Sequence, residues 1–168
     1  TSGSSTSEPG NHAASSTLTD SIPSTVKVLD RDGDGFTDHI YVGDLGGQIH
    51  RLDIWQNADN STSISQALVA QLGRRGGSNG ADADRRFFYP PSVALMQDDN
   101  GKYVGLAIGS GLKTDPKNDV VNEHFYFIKD REPFGVAQEP VRHGDSTLVQ
   151  LQVVDEDGDR MGGASIAP

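Results

Sequence analysis

In Asp30-Arg31-Asp32-Gly33-Asp34-Gly35-Phe36-Thr37-Asp38, carboxylates fall at alternate positions and glycines supply the bends between them. Ca²⁺ is a hard cation that takes about six to eight oxygens, and an Asp-x-Asp-x-Asp-Gly run aims several short carboxylates at one centre. In such a loop Asp30, Asp32 and Asp34 occupy the first, third and fifth ligand positions. Phe36 offers its backbone carbonyl at the seventh, and Asp38 closes the ninth. Without a cation these four anions repel one another. The alternative is a solvated Asp/Gly turn, against which stand the four acidic ligands and the glycine that follows the fifth position.

An EF-hand needs a bidentate Glu at the twelfth position and a helix on each side. Counted from Asp30, the twelfth residue is Tyr41. The flanks, Val26-Lys27-Val28-Leu29 and Ile40-Tyr41-Val42, are β-branched and alternating, which predicts strands. The expected unit is therefore a strand-loop-strand clip with an EF-hand-like calcium loop between strands.

The rest of the chain must hold that clip. It has 168 residues, enough for one domain, with 20 glycines, few long apolar runs and one third hydrophobic content. That composition favours β structure with many turns. A net charge of -10 argues against a general nucleic-acid surface, which needs clustered Lys and Arg, and it suits calcium binding. There is no cysteine, hence no disulfide framework, thiolate metal site or cysteine nucleophile. No stretch approaches the roughly 18 apolar residues of a membrane span. The sequence opens on Thr1 with no signal-peptide pattern, so the expectation is a piece of something larger.

Residues 1–19 are mostly Ser, Thr, Gly, Pro and Ala with almost no large apolar side chain, and they are expected to form a flexible lead-in. The folded segment is placed at 20–155 and a flexible tail at 156–168. Strands are expected at Val26–Leu29, Ile40–Val42, Gln48–Ile54, Ser92–Met96, Tyr103–Ile108, His124–Ile128 and Leu148–Val154, separated by Gly- and Asn-rich turns. Ile64 to Leu72 suits either a short helical face or another strand. Phe87-Phe88-Tyr89-Pro90-Pro91 is either a plug between sheets or a binding surface, with the core reading favoured.

Other chemistry is sparse. The basic Gly73–Gly80 loop lacks the Lys-Ser/Thr end of a phosphate loop and reads as a solvated connection. Five histidines are scattered singly, without zinc-ligand spacing. No nucleophile elbow is present and no catalytic constellation emerges, so the chain is expected not to be an enzyme. A second acidic run, Asp155-Glu156-Asp157-Gly158-Asp159, has Gly163 at its ninth position and reads as a solvated turn, with weak cation binding as the alternative.

Taken together, several stretches resemble the PilC/PilY type IV pilus tip-associated proteins in their C-terminal β-propeller domain. They are Ile22-Pro23-Ser24 with Val26–Leu29, the Asp30–Asp38 loop, Tyr41–Gln48, Arg51–Ile54, Arg85–Pro91, Ala107–Gly111 and Phe125–Asp130. Two departures stand out. His50 and Leu52 lie where the family usually has Trp and Phe, and Lys113-Thr114-Asp115 replace the Arg-Ala-His often seen after Gly-Ser-Gly.

The resemblance implies an all-β fold, a partial β-propeller of antiparallel meander blades, with Ca²⁺ held in the Asp30–Asp38 loop. It implies a noncatalytic module of an exported protein at the bacterial cell surface or pilus tip, reached through the periplasm, that modulates pilus assembly, retraction, twitching motility and attachment. Expected partners are pilus proteins or the remainder of a larger propeller chain, and a host or abiotic surface. Two other classes share features. A quinoprotein-like propeller enzyme shares Tyr41–Gly47 followed by Arg51-Leu52-Asp53, but it needs several tryptophan-docking blades and this chain has one Trp. An integrin-like calcium-repeat module would repeat the acidic loop, of which one complete copy is present.

Overall fold

The computed structural model describes residues 18–74, 84–117, 120–121, 123–143, 145 and 149–151. Most of the expected lead-in, the tail and the Asp155–Asp159 run lie outside the described residues. The fold is all-β. Strands β1 (Lys27–Leu29), β2 (His39–Gly43), β3 (Gln48–Gln56) and β4 (Thr62–Gln71) form an antiparallel meander. Strands β5 (Ser92–Asp98), β6 (Gly101–Gly109), β7 (Phe125–Asp130) and β9 (Val149–Leu151) form a second antiparallel sheet. Between them in sequence, β8 (Val141–Arg142) returns to the first sheet and pairs parallel to β4. Neither sheet closes on itself.

The segment that suited helix or strand is strand: Ile64 pairs with Ile54 and Leu68 with His50 across a bulge at Ile49/His50. Its three spaced apolar residues fit a helix, but a long neighbour with free backbone groups, β3, satisfies every second amide and decides the matter.

The sheets meet over Tyr41, Ile49, Ala70 and Leu72 on one side and Leu106, Ile108, Tyr126 and Ile128 on the other. Phe87 is the plug between them. It is fully buried, packs edge-on against Tyr126 at 6.2 Å, and its amide donates to the Asp44 carbonyl at 3.0 Å. Gly43 makes room for it, since a Cβ there would stand 2.8 Å from the Phe87 Cβ. Two residues on, Tyr89 is exposed. The aromatic run thus divides between core and surface.

Turn chemistry matches the expected hairpins. In Asp44-Leu45-Gly46-Gly47, Gly47 adopts a positive φ of 77°, and a Cβ there would meet the Gly73 Cα at 2.4 Å. The carboxylate of Asp44 accepts from the Gly46 and Gln48 amides and from His50 Nε2, while Gln66 donates to His50 Nδ1. His50, one of the departures from the resembled pattern, is therefore a fully buried partner of the turn rather than an apolar filler.

At the other hairpin, Asp98 accepts from Lys129 Nζ at 2.8 Å and from Arg131 Nη2 at 2.6 Å. These bonds, Lys129's first, hold its carboxyl down to about 2 from an ordinary 3.8. A depressed carboxyl contributes stability that is complete above the unfolded value and is lost as pH falls through the folded one. Urea midpoints are therefore expected to drop between about pH 4 and pH 2, and Asp98→Asn to flatten that part of the profile. An identical acid limb in the variant would show that the cluster contributes nothing.

Candidate metal centre

The loop at Asp30–Asp38 is the connection of the β1–β2 hairpin. Leu29 faces His39 and Val28 faces Ile40 in register, and the Asp38 amide donates to the Leu29 carbonyl at 3.0 Å. The hairpin is continued inward, because the Asp38 carbonyl accepts from the Ile54 amide of β3 at 2.8 Å. A nine-residue connection, longer than a tight turn, leaves backbone amides that the ladder cannot use. The carboxylates take them instead. Asp30 accepts from the Gly33 amide at 2.7 Å and the Gly35 amide at 2.9 Å, and Asp38 accepts from the Arg31 amide at 2.7 Å. Asp32 accepts from the Asp34 amide at 3.2 Å.

This wrapping needs left-handed backbone at Gly33 (φ 83°) and Gly35 (φ 91°), which a side chain would disfavour. The Gly35 and Gly33 amides also lower the Asp30 carboxyl below its usual range.

Asp30, Asp32 and Asp38 each bring a carboxylate oxygen to within 4.8 Å of the other two. That cluster could hold a metal ion: oxygens about 2.3–2.6 Å from a shared Ca²⁺ span such distances, and hard carboxylate donors suit it. Of the five residues expected from spacing, these three converge. The Asp34 carboxylate instead accepts from the Phe36 amide at 2.8 Å, and the Phe36 ring is exposed to solvent.

The base of the hairpin stands on a buried ionic network that spacing did not reveal. Arg51, 4% exposed, donates from Nε and Nη2 to Asp53 at 2.6 and 2.9 Å. From Nη1 it donates to both oxygens of Asp130, at 3.0 and 2.7 Å, and from Nη2 to Glu132 at 3.0 Å. Tyr41 Oη donates to Asp130 at 3.0 Å, and His39 Nδ1 lies 2.6 Å from Asp53. Burial works against the Arg51 charge, but Asp53 and Asp130 outweigh it and raise the pKa. Burial likewise pushes Asp53 up, and the bonds from His39 and Arg51 more than reverse that. Burial and the Asp130 carboxylate together keep the Tyr41 phenol protonated.

The first half of this network was present as a pattern in the chain, since His39 pairs with Asp53 and Tyr41 with Arg51 across β2 and β3. Asp130 and Glu132 come from the end of β7 and the following short 3₁₀ turn, Glu132–Phe134, and no local signal points to them. The same turn reaches the loop directly, because Arg31 Nη1 donates to the Pro133 carbonyl at 2.6 Å. Loop, hairpin base and second sheet form one connected polar system.

The molecule is thus an all-β protein of two open sheets with an acidic, metal-competent hairpin loop at one edge strand. Compared with protein-family models, with curated proteins and with solved structures, the chain matches none. Among the described residues no helix is long and apolar enough to cross a membrane.

Proposed function

We propose that the chain is a noncatalytic, calcium-stabilised propeller segment of a type IV pilus-associated protein of the PilC/PilY kind. In this reading Ca²⁺ pins the β1–β2 hairpin and so fixes the edge of a blade used in pilus assembly, retraction and attachment. The observation that carries it is the convergence of Asp30, Asp32 and Asp38 in a strand-loop-strand hairpin, at the position the resemblance assigns to the calcium loop. The antiparallel four-strand sets β1–β4 and β5–β6–β7–β9 are consistent with two adjoining blades, with β8 added parallel to β4 in the first sheet.

The exposed edges fit the same reading. Val28 on β1 and Leu95 and Met96 on β5 present apolar side chains to solvent at strands that have one neighbour each. In a complete propeller, radial repetition of blades leaves such edges short and protected. Partners on this reading are the remainder of a propeller chain or pilus proteins, and the setting is the bacterial surface.

Calcium would be held by Asp30, Asp32 and Asp38, with Asp34 and the Phe36 carbonyl completing the shell. It supplies charge neutralisation and a cross-link within the loop. Binding to the native state alone adds about 2.7 kcal/mol at 100 times the dissociation constant. The melting temperature is therefore expected to rise with Ca²⁺ and to fall back on adding a chelator.

Asp32→Ala is the cleanest variant, since that carboxylate makes one long backbone hydrogen bond in the loop. Its metal-free stability should stay within about 0.5 kcal/mol of the parent, while the calcium shift disappears. Asp34→Ala should also abolish the shift, because on this reading its carboxylate would help complete the shell. A melting curve indifferent to calcium and chelator would sink the proposal.

A further inference from the structure

A cleft of about 410 Å³ lies on the second sheet, away from the acidic loop, lined among others by Phe88, Tyr89, Ser110, Gly111, Lys113 and Glu123. Its volume falls in the range of about 300–1,000 Å³ usual for small-molecule sites. The floor is held firmly. The Ser110 amide donates to the His124 carbonyl at 2.8 Å, the His124 amide donates back to Ser110 Oγ at 2.9 Å, and the Gly111 amide donates to the Arg86 carbonyl at 3.0 Å. Gly111 leaves open space where a side chain would stand. The site is thus built on a strand end and its cross-strand bonds.

Three features narrow the ligand. Tyr89 is 61% exposed although it follows the buried Phe87, so an aromatic ring is presented at the cleft without a packing role. Lys113 Nζ lies over that ring, 5.4 Å from its centroid, a cation–π contact that sets a hydrogen-bond donor beside the aromatic group. Glu123 lines the same space with a buried Oε2 that has no hydrogen-bond partner among the described residues. Burial is the leading cause that raises its pKa, and a hydrogen bond from the Ser110 side chain, then Arg85 and Arg86, work against it.

Charge does not select an ion here. Lys113, Arg85 and Arg86 are matched by Asp84, Asp115 and Glu123 around the site, and Arg86 is already paired to Asp84 at 2.6 Å. A phosphate or an ammonium would find no surplus of opposite charge. A neutral molecule that offers an apolar face to a ring and hydroxyls to mixed donors and acceptors matches what is there.

We propose that the cleft between Tyr89 and the Gly109–Lys113 segment is a binding site for a neutral saccharide, whose ring stacks on Tyr89 and whose hydroxyls meet Lys113 and Glu123. The inference rests on neither calcium nor the pilus reading. The test is a titration of the ¹⁵N-labelled chain with glucose, galactose, N-acetylglucosamine and lactose. Saturable amide shifts are expected at Tyr89, Gly109–Lys113 and Glu123 with at least one sugar. Tyr89→Ala should weaken that sugar about tenfold, the loss of one aromatic contact, without moving the melting temperature. Glu123→Ala should weaken it as well. Absence of saturable shifts with all four sugars, shifts elsewhere on the chain, or undiminished binding by Tyr89→Ala would overturn the proposal. So would a stronger response to butylammonium than to any sugar, which would make the cleft an amine site.

Discussion

Arg51→Ala is expected to destabilise the fold by about 3–5 kcal/mol, the loss typical when one partner is removed from a buried ion pair. The side chain is 4% exposed and bonds Asp53, Asp130 and Glu132 together in the network described above. Alanine would leave Asp130, itself 3% exposed, with Tyr41 Oη and the Glu132 amide as donors but no positive charge. The cost is the penalty of that uncompensated burial more than the worth of the bonds lost. The same penalty explains why the Arg51→Ala/Asp130→Ala double variant should lose less than the sum of the singles. Urea unfolding of the four proteins in a double-mutant cycle measures it. A loss below about 1 kcal/mol for Arg51→Ala would mean that water reaches the network and screens it as it does surface pairs.

The second large effect is expected at Phe87. Phe87→Ala removes a fully buried ring from the seam of the two sheets and should cost about 3–5 kcal/mol. Relaxation is limited there, because the ring sits against Gly43, Ile108 and Tyr126, each fixed in its own strand ladder. Tyr89→Ala, two residues away on the exposed side, should change stability by no more than about 0.5 kcal/mol. Thermal or urea unfolding of both variants separates the two roles in the aromatic run. Equal losses would show that Tyr89 belongs to the core.

Legibility followed the range of the interaction. The β1–β2 clip could be read from the chain because everything that makes it is local: acidic residues at alternate positions, glycines where the backbone must turn left-handed, and β-branched flanks. Strand assignments at β2, β3, β5, β6 and β7 were equally local, since alternation and Gly-rich turns set them. At Ile64–Leu72 the periodicity alone allowed two outcomes. The backbone groups of β3 chose between them, and β3 is supplied by another segment.

Within the acidic loop, spacing named five ligands, and the fold brings three carboxylates together while Asp34 caps the Phe36 amide. Spacing cannot make that distinction, because a short carboxylate two residues from an amide can bond either the backbone or a central ion. The choice depends on φ and ψ along the loop.

Residue types and their order along the chain thus settled the β class, the hairpin and the acidic character of its loop. Tertiary structure alone decided how that loop is anchored. Asp130, Glu132 and the Pro133 carbonyl reach Arg51 and Arg31 from 79 to 102 residues away, across the seam between sheets. Burial of a charge is a property of the assembled core, so nothing in the local sequence of Arg51 marks it as different from the exposed basic residues elsewhere. The same holds for the cleft beside Tyr89, whose ring is exposed while Phe87 fills the seam.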